Sequence, residues 1–94
     1  LGERSLSAEQ VAKRLANEIR TYQRSHGALG PHLADQWMLP LALAVWRSGR
    51  AASYTCTEVT LHTATNAQTI ALGLPLQVRI IPVERAMRVE IAPA

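Results

Sequence analysis

Seven consecutive residues, Thr60-Leu61-His62-Thr63-Ala64-Thr65-Asn66, hold the side chain best suited to chemistry in this chain. His62 stands between two apolar-rich, strand-like segments and at the mouth of a short helix. The pattern predicts Thr65 as the N-cap of that helix, with Gln68 completing a capping box. His62 then lies just outside a helix N-terminus, where free backbone N–H groups and the helix dipole favour a phosphate. An unperturbed imidazole titrates near about 6.5, so at neutral pH it has a free lone pair and can act as a nucleophile toward such a phosphate. The competing reading of a lone histidine before a helix is a hydrogen-bonded structural or surface residue.

Two further polar residues stand out by their surroundings. Asp35 and Gln36 are the only polar side chains between Leu33 and Ala44, in a segment whose other residues are apolar. Polar groups on a buried helix need partners, so these two either cap and pair internally or line a site. Cys56 is the single cysteine and cannot form an internal disulfide, which fits a reducing cytoplasm. On a strand it reads as a small buried apolar side chain rather than a reactive thiol. His26, His32 and His62 are scattered, with no second cysteine or carboxylate cluster at metal-ligand spacing, so no metal site is expected in these residues.

The elements that must position these groups follow from periodicity. Ser7 can cap a first helix, with Gln10 in the capping-box position. From Ala8 to about Arg24 a stripe of Val11, Leu15, Ile19 and Tyr22, flanked by Ala12 and Ala16, recurs at helical spacing. Lys13, Arg14, Asn17, Arg20 and Gln23 form the opposite, solvated face, with Glu9–Lys13 a supportive pair four residues apart. Ser25–Gly30 breaks this helix. Pro31 suits the first turn of a second one, running roughly from His32 to Ala44. That helix is apolar around most of its circumference and is expected to be buried, while Pro40 inside it must kink it or free the carbonyl of Gln36.

Trp46–Ala51 reads as a polar loop, and Ser53–Val59 as a strand with Tyr54, Cys56 and Glu58 on one face. The helix after His62 runs from about Asn66 to Leu72 and ends at Gly73 and Pro75. Leu76–Val83 and Met87–Ala92 alternate as strands around a short turn and pair as a hairpin. The order α-α-β-α-β-β gives an α+β class, a small sheet packed against helices.

Composition bounds the rest. Ninety-four residues make one domain near the lower end of what buries a self-sufficient core. Apolar residues are 48% of the chain, which excludes a disordered segment. Aromatics are 4% and Phe is absent, so the core must be built from Leu, Ile, Val and Ala. Ten Lys+Arg against seven Asp+Glu give a net charge of +3, compatible with a phosphate-rich partner, but no basic patch is interleaved with aromatics. Leu39–Trp46 is too short an apolar run to span a membrane, so no membrane partner is expected. The chain starts at Leu1 without a methionine and reads as a piece of something longer.

Read as motifs, the sequence resembles the C-terminal part of the RNA 3′-terminal phosphate cyclases. The resemblance rests on Gly2-Glu3-Arg4 followed by Ser7-Ala8-Glu9-Gln10-Val11-Ala12, and on Leu29-Gly30-Pro31-His32-Leu33-Ala34-Asp35-Gln36. It continues through Leu39-Pro40-Leu41-Ala42-Leu43-Ala44, then Leu61-His62-Thr63-Ala64-Thr65-Asn66, to Leu74-Pro75, in the right order over essentially the whole chain.

The resemblance implies an ATP-dependent enzyme that converts an RNA 3′-phosphate into a 2′,3′-cyclic phosphodiester through a covalent histidine–AMP intermediate. His62 matches the nucleophile. Asp35 and Gln36 match the adenylate pocket, His32 stands where an aromatic usually stacks on adenine, and Asn66 ends the histidine block as a further nucleotide-binding candidate. Residues 1–26 resemble the end of the family's inserted domain, and residues 27–94 its final α/β repeat. Groups holding ATP's triphosphate and a divalent metal (Mg or Mn) belong to an N-terminal part not represented here. The expected partners are RNA 3′-phosphate ends, that missing part and, for the fragment alone, a second copy of itself. The stretch between Ala44 and Tyr54 is longer than the family's usual turn, and Trp46 and Arg47 have no counterpart there. A different class of function, a non-catalytic RNA-binding or assembly module on the same fold, is the alternative; the family's non-catalytic branch lacks the histidine that His62 matches.

Overall fold

The computed structural model describes the backbone of residues 2–94 and the side chains of residues 10, 11 and 13–94. Six elements follow one another: α1 (Gly2–His26), α2 (Pro31–Ser48), β1 (Ala52–Cys56), α3 (Leu61–Gly73), β2 (Leu76–Val83) and β3 (Ala86–Pro93). The fold is α+β in the expected order. Helix α1 begins earlier than the expected Ala8, because the run from Glu3 to Leu6 contains no proline or glycine to stop it. The expected Ser7 cap and Glu9–Lys13 pair lie outside the described side chains.

The sheet has three antiparallel strands in the order β1-β3-β2, so the last strand of the chain is its centre. Strands β2 and β3 form the expected hairpin, with Val83 opposite Ala86 and a two-residue turn of Glu84 and Arg85. Pro82 is tolerated because β2 is an edge strand. Strand β1 stops at Cys56 rather than Val59, which leaves Glu58 exposed in the following loop, off the inner face where it was expected. Beside β1, the Leu29 N–H donates to the Thr55 carbonyl at 2.9 Å and the Thr57 N–H donates to the Leu29 carbonyl at 2.8 Å. This single parallel bridge is a rudimentary fourth strand, and it ties the α1–α2 connection to the sheet.

One face of the sheet carries the core. Tyr54, Cys56, Leu76, Val89 and Ile91 point to α2 and α3, which contribute Ala34, Met38, Leu41, Ala42, Val45, Ala67 and Ile70. Full burial of a Leu, Ile, Val or Met contributes about 1.5–3 kcal/mol each, so this aliphatic set is the main source of stability. Ile19 brings α1 into the same core, while Val11 of the predicted stripe is exposed and Leu15 and Tyr22 are half-buried. Gln23, placed on the solvated face from sequence, instead reaches Thr55, donating to its carbonyl oxygen at 3.3 Å and to its hydroxyl.

Helix α2 departs from expectation at its end and on one face. It continues through Trp46, Arg47 and Ser48, residues that read as loop. What stops it is Gly49 in the left-handed conformation (φ +74°), whose N–H closes on the Val45 carbonyl at 2.8 Å. It is also not buried all round: Leu39, Leu43 and Trp46 form an exposed stripe at helical spacing. Pro40 falls on the exposed side of the helix, as does Gln36, the residue whose carbonyl it leaves without a helical donor. Among the described residues no helix is long and apolar enough to cross a membrane.

Two outcomes test this account. Gly49→Ala places a Cβ in left-handed backbone and should cost about 1 kcal/mol in urea unfolding, with Gly49→Asn milder. Tyr54 donates its hydroxyl to the Ala34 carbonyl at 2.9 Å inside the core. Burial, with smaller contributions from negative charge at Cys56 and Asp35, pushes its phenol well above the usual 10.0. The folded chain therefore holds the phenolic proton more tightly than the unfolded one, so this contribution is complete below about pH 10 and falls as pH rises above it. Tyr54→Phe should cost about 1 kcal/mol at neutral pH and flatten the alkaline loss of stability.

Candidate functional site

The chain N-terminal to α3 decides where His62 stands. Thr60, not Thr65, is the N-cap: its hydroxyl oxygen accepts the Thr63 N–H at 3.2 Å, and the first helical bond runs from the Ala64 N–H to the Thr60 carbonyl at 3.0 Å. His62 is therefore inside the first helical turn rather than before it. Thr65 sits in the helix body, where its carbonyl accepts the Thr69 hydroxyl at 2.9 Å, and Gln68 is exposed. The sequence signal for the true cap was Thr60-Leu61-His62-Thr63: buried Thr63 also accepts a hydrogen bond from the Thr60 hydroxyl at 3.2 Å. The N–H groups of Leu61 and His62 precede the first helical bond and point from the helix start.

Helix α2 brings its own first turn to the same place. Gly30 is the N-cap and Pro31 the first helical residue, so Asp35 falls about one turn into the helix. Asp35 Oδ2 lies 3.1 Å from His62 Nε2, and Asn66 Nδ2 donates to Asp35 Oδ1 at 2.6 Å. His62 and Asn66 are four residues apart on α3 and so share a face. One carboxylate thus holds two side chains of a neighbouring helix. The contact with His62 is a hydrogen bond when Nε2 carries the proton, and that tautomer leaves the ring's lone pair on Nδ1. Asp35 is 24% exposed and His62 73%, so the carboxylate is sheltered while the ring faces solvent.

A shallow hollow of about 280 Å³ opens here, lined by Pro31, His32, Asp35, Thr60 and His62. Four of the five residues singled out from sequence are thus drawn together: His62, Asp35 and Asn66 by direct contact, and His32 on the hollow's wall. Gln36 is exposed and is not part of that wall. Asp35 pairs with two side chains of α3 and also borders the hollow. Thr60 is the residue sequence reading missed. Among the described residues no group of three or more His, Cys, Asp or Glu is placed to hold a metal ion. Cys56 is buried, and burial pushes its thiol up, which matches its reading as an inert core residue.

Chemically, the arrangement offers a solvent-facing imidazole backed by a carboxylate, beside helix-start N–H groups that suit phosphoryl oxygens. No protein-family model matches the chain. The different roles of the two acidic-block residues are separable by stability alone. Asp35→Ala removes two hydrogen bonds to a charged acceptor and should cost about 1.5–3 kcal/mol in chemical unfolding. Gln36→Ala should stay within about 0.5 kcal/mol. Equal losses for both would contradict the assignment of Asp35 as the residue that joins α2 to α3.

Proposed function

We propose that this chain is the C-terminal part of an RNA 3′-terminal phosphate cyclase and contributes His62 as the nucleophile that accepts AMP from ATP. The observation that carries this reading is the 3.1 Å contact between His62 and Asp35. It joins the two sequence blocks on which the resemblance to that family rests. In the proposed cycle a ring nitrogen of His62 bonds to the α-phosphorus of ATP as the bond to the β-phosphate oxygen breaks, and pyrophosphate leaves with the electron pair. A covalent intermediate divides a difficult displacement into easier steps. The ring gains positive charge as it attacks, and the Asp35 carboxylate offsets that charge.

An oxygen of the RNA 3′-phosphate then attacks the same phosphorus and the P–N bond breaks, which returns a neutral imidazole. Finally the 2′-hydroxyl, losing its proton, attacks the 3′-phosphorus and expels AMP, closing the cyclic phosphodiester. His32 borders the hollow in a position to stack weakly on a base, and the Leu61 and His62 N–H groups suit the α-phosphate oxygens. Asn66 acts on the nucleotide through Asp35, whose Oδ1 it holds. The residues here do not fit the divalent metal of the complete enzyme: the two Asp35 oxygens are engaged by His62 and Asn66, and no three-ligand group stands among the described residues.

Residues 1–26 then correspond to the end of the inserted domain and residues 27–94 to the last repeat of a cytoplasmic enzyme. The exposed Leu39, Leu43 and Trp46 stripe on α2 supports a surface covered by neighbouring repeats in the complete protein, or by a second copy when these residues stand alone. In the complete enzyme, ATP labelled at the α-phosphate should leave an acid-labile label on protein, absent in His62→Ala and His62→Asn. These 94 residues alone should not cyclise RNA. Label persisting in both variants would remove His62 from the reaction.

A further inference from the structure

A cleft opens where α1 crosses the end of α2 and the start of β1. Strand β1 begins at Ala52, opposite Ile91, and β3 runs past it to Ala92, which leaves a step at that corner of the sheet. The helices over the step meet it with Ala16 of α1 and Ala44 of α2, and a methyl group is too short to fill it. The result is a pair of adjoining lobes of about 400 and 180 Å³. They share Ala16, Arg20, Leu41, Ala51 and Ala52 as walls, so an occupant of one can reach into the other. Ten residues of α2 separate Leu41 from Pro31, about 15 Å along the helix, so the cleft is distinct from the His62 hollow.

The two lobes differ in chemistry. The larger reaches the core, with buried Ile19, Leu41 and Ile91 on its floor. An apolar ligand that covers those side chains gains the free energy of removing both surfaces from water. Among the described residues no aromatic ring lines either lobe, so the walls suit an alkyl chain rather than a stacked ring. The smaller lobe is bordered by the cations Lys13, Arg20 and Arg50 and, among the described residues, by no carboxylate. Lys13 and Arg20 are exposed, so their charges stand at the mouth rather than over the apolar floor. Glu90, the carboxylate among the described residues at the larger lobe, faces Arg79 at 3.9 Å.

We propose that this cleft binds an unbranched fatty carboxylate of medium length, its alkyl chain over Ile19, Leu41 and Ile91 and its carboxylate between Lys13 and Arg20. The site rests on this geometry and not on the nucleotidyl-transfer reading of His62. The test is a titration of this chain with decanoate, below its micelle concentration, followed by calorimetry and by amide NMR shifts. The shifts should centre on Ala16, Leu41, Ala51, Ala52 and Ile91. From hexanoate to decanoate, each added methylene should tighten binding about fourfold until the larger lobe is full. 1-Decanol, which keeps the chain and lacks the charge, should bind at least about tenfold more weakly.

The paired variant Lys13→Glu with Arg20→Glu should weaken decanoate binding at least about tenfold and leave that of 1-decanol within about twofold. Ala16→Leu fills the cleft without changing charge and should weaken both probes at least about tenfold. Ala51→Leu, at an exposed position bordering both lobes, provides a second filling variant if Ala16→Leu perturbs the packing of α1. Arg47→Glu, beside Trp46 on α2 and outside the cleft, should leave affinity within about twofold of the parent. Equal affinity for decanoate and 1-decanol overturns the proposal, because the carboxylate then contributes nothing. Shifts centred on Leu39, Leu43 and Trp46 overturn it too, marking nonspecific cover of the exposed stripe, as does unchanged affinity in both filling variants. His62→Ala should bind decanoate normally, so a failure of the AMP-labelling test leaves this site standing.

Discussion

The hydrogen bond from the Tyr54 hydroxyl to the Ala34 carbonyl couples the fold to the site. It lies in the core, where an unmade partner would be costly, so it sets the height and rotation of the start of α2 over β1. Asp35 is the next residue on that helix. Its carboxylate is directed at α3 because the residue before it is tied to the sheet. The Leu29 bridge to β1 supports the same geometry from the other side, holding the approach to α2 against the strand that carries Tyr54.

From that constraint the site follows by short steps. Small residues on the inner face of α2, Ala34 and Ala42 among them, let helix and sheet approach closely in a core that has no Phe to fill it. The Thr60 cap then begins α3 early enough to place His62 in the first turn and Asn66 one turn later, both within reach of Asp35. A partly sheltered carboxylate with two donors is well satisfied. An imidazole held by such a carboxylate has its ring orientation selected, and this is the property a nucleophilic or acid–base histidine needs. The ring itself stays exposed to solvent.

The two faces of the sheet divide the labour. The inner face is aliphatic and binds the helices; the outer face carries Arg79, Arg88 and Glu90. Because side chains alternate along a strand, both faces are written into the same residues. The stripe of Leu39, Leu43 and Trp46 is a third kind of surface, apolar and exposed on α2, and its two leucines are part of why that helix reads from sequence as buried.

Local pattern determined much of this molecule. Alternation in Leu76–Val83 and Met87–Ala92 with a short connection made the hairpin legible, and the stripe through Leu15 and Ile19 made α1 legible. The isolation of Asp35 among apolar residues marked it as a group needing partners, and His62 marked the other half of the site. Helix ends were less legible, because Thr60 and Thr65 are both adequate caps locally and only the packing of α3 against α2 and β2 selects the earlier one. Likewise, periodicity cannot show whether Leu39 and Leu43 face core or solvent when the helix is apolar around most of its circumference. The pairing of Asp35 with His62 and Asn66 joins residues some thirty positions apart. It was decided by tertiary structure, since only the docking of two helices on one sheet brings those side chains within hydrogen-bonding distance.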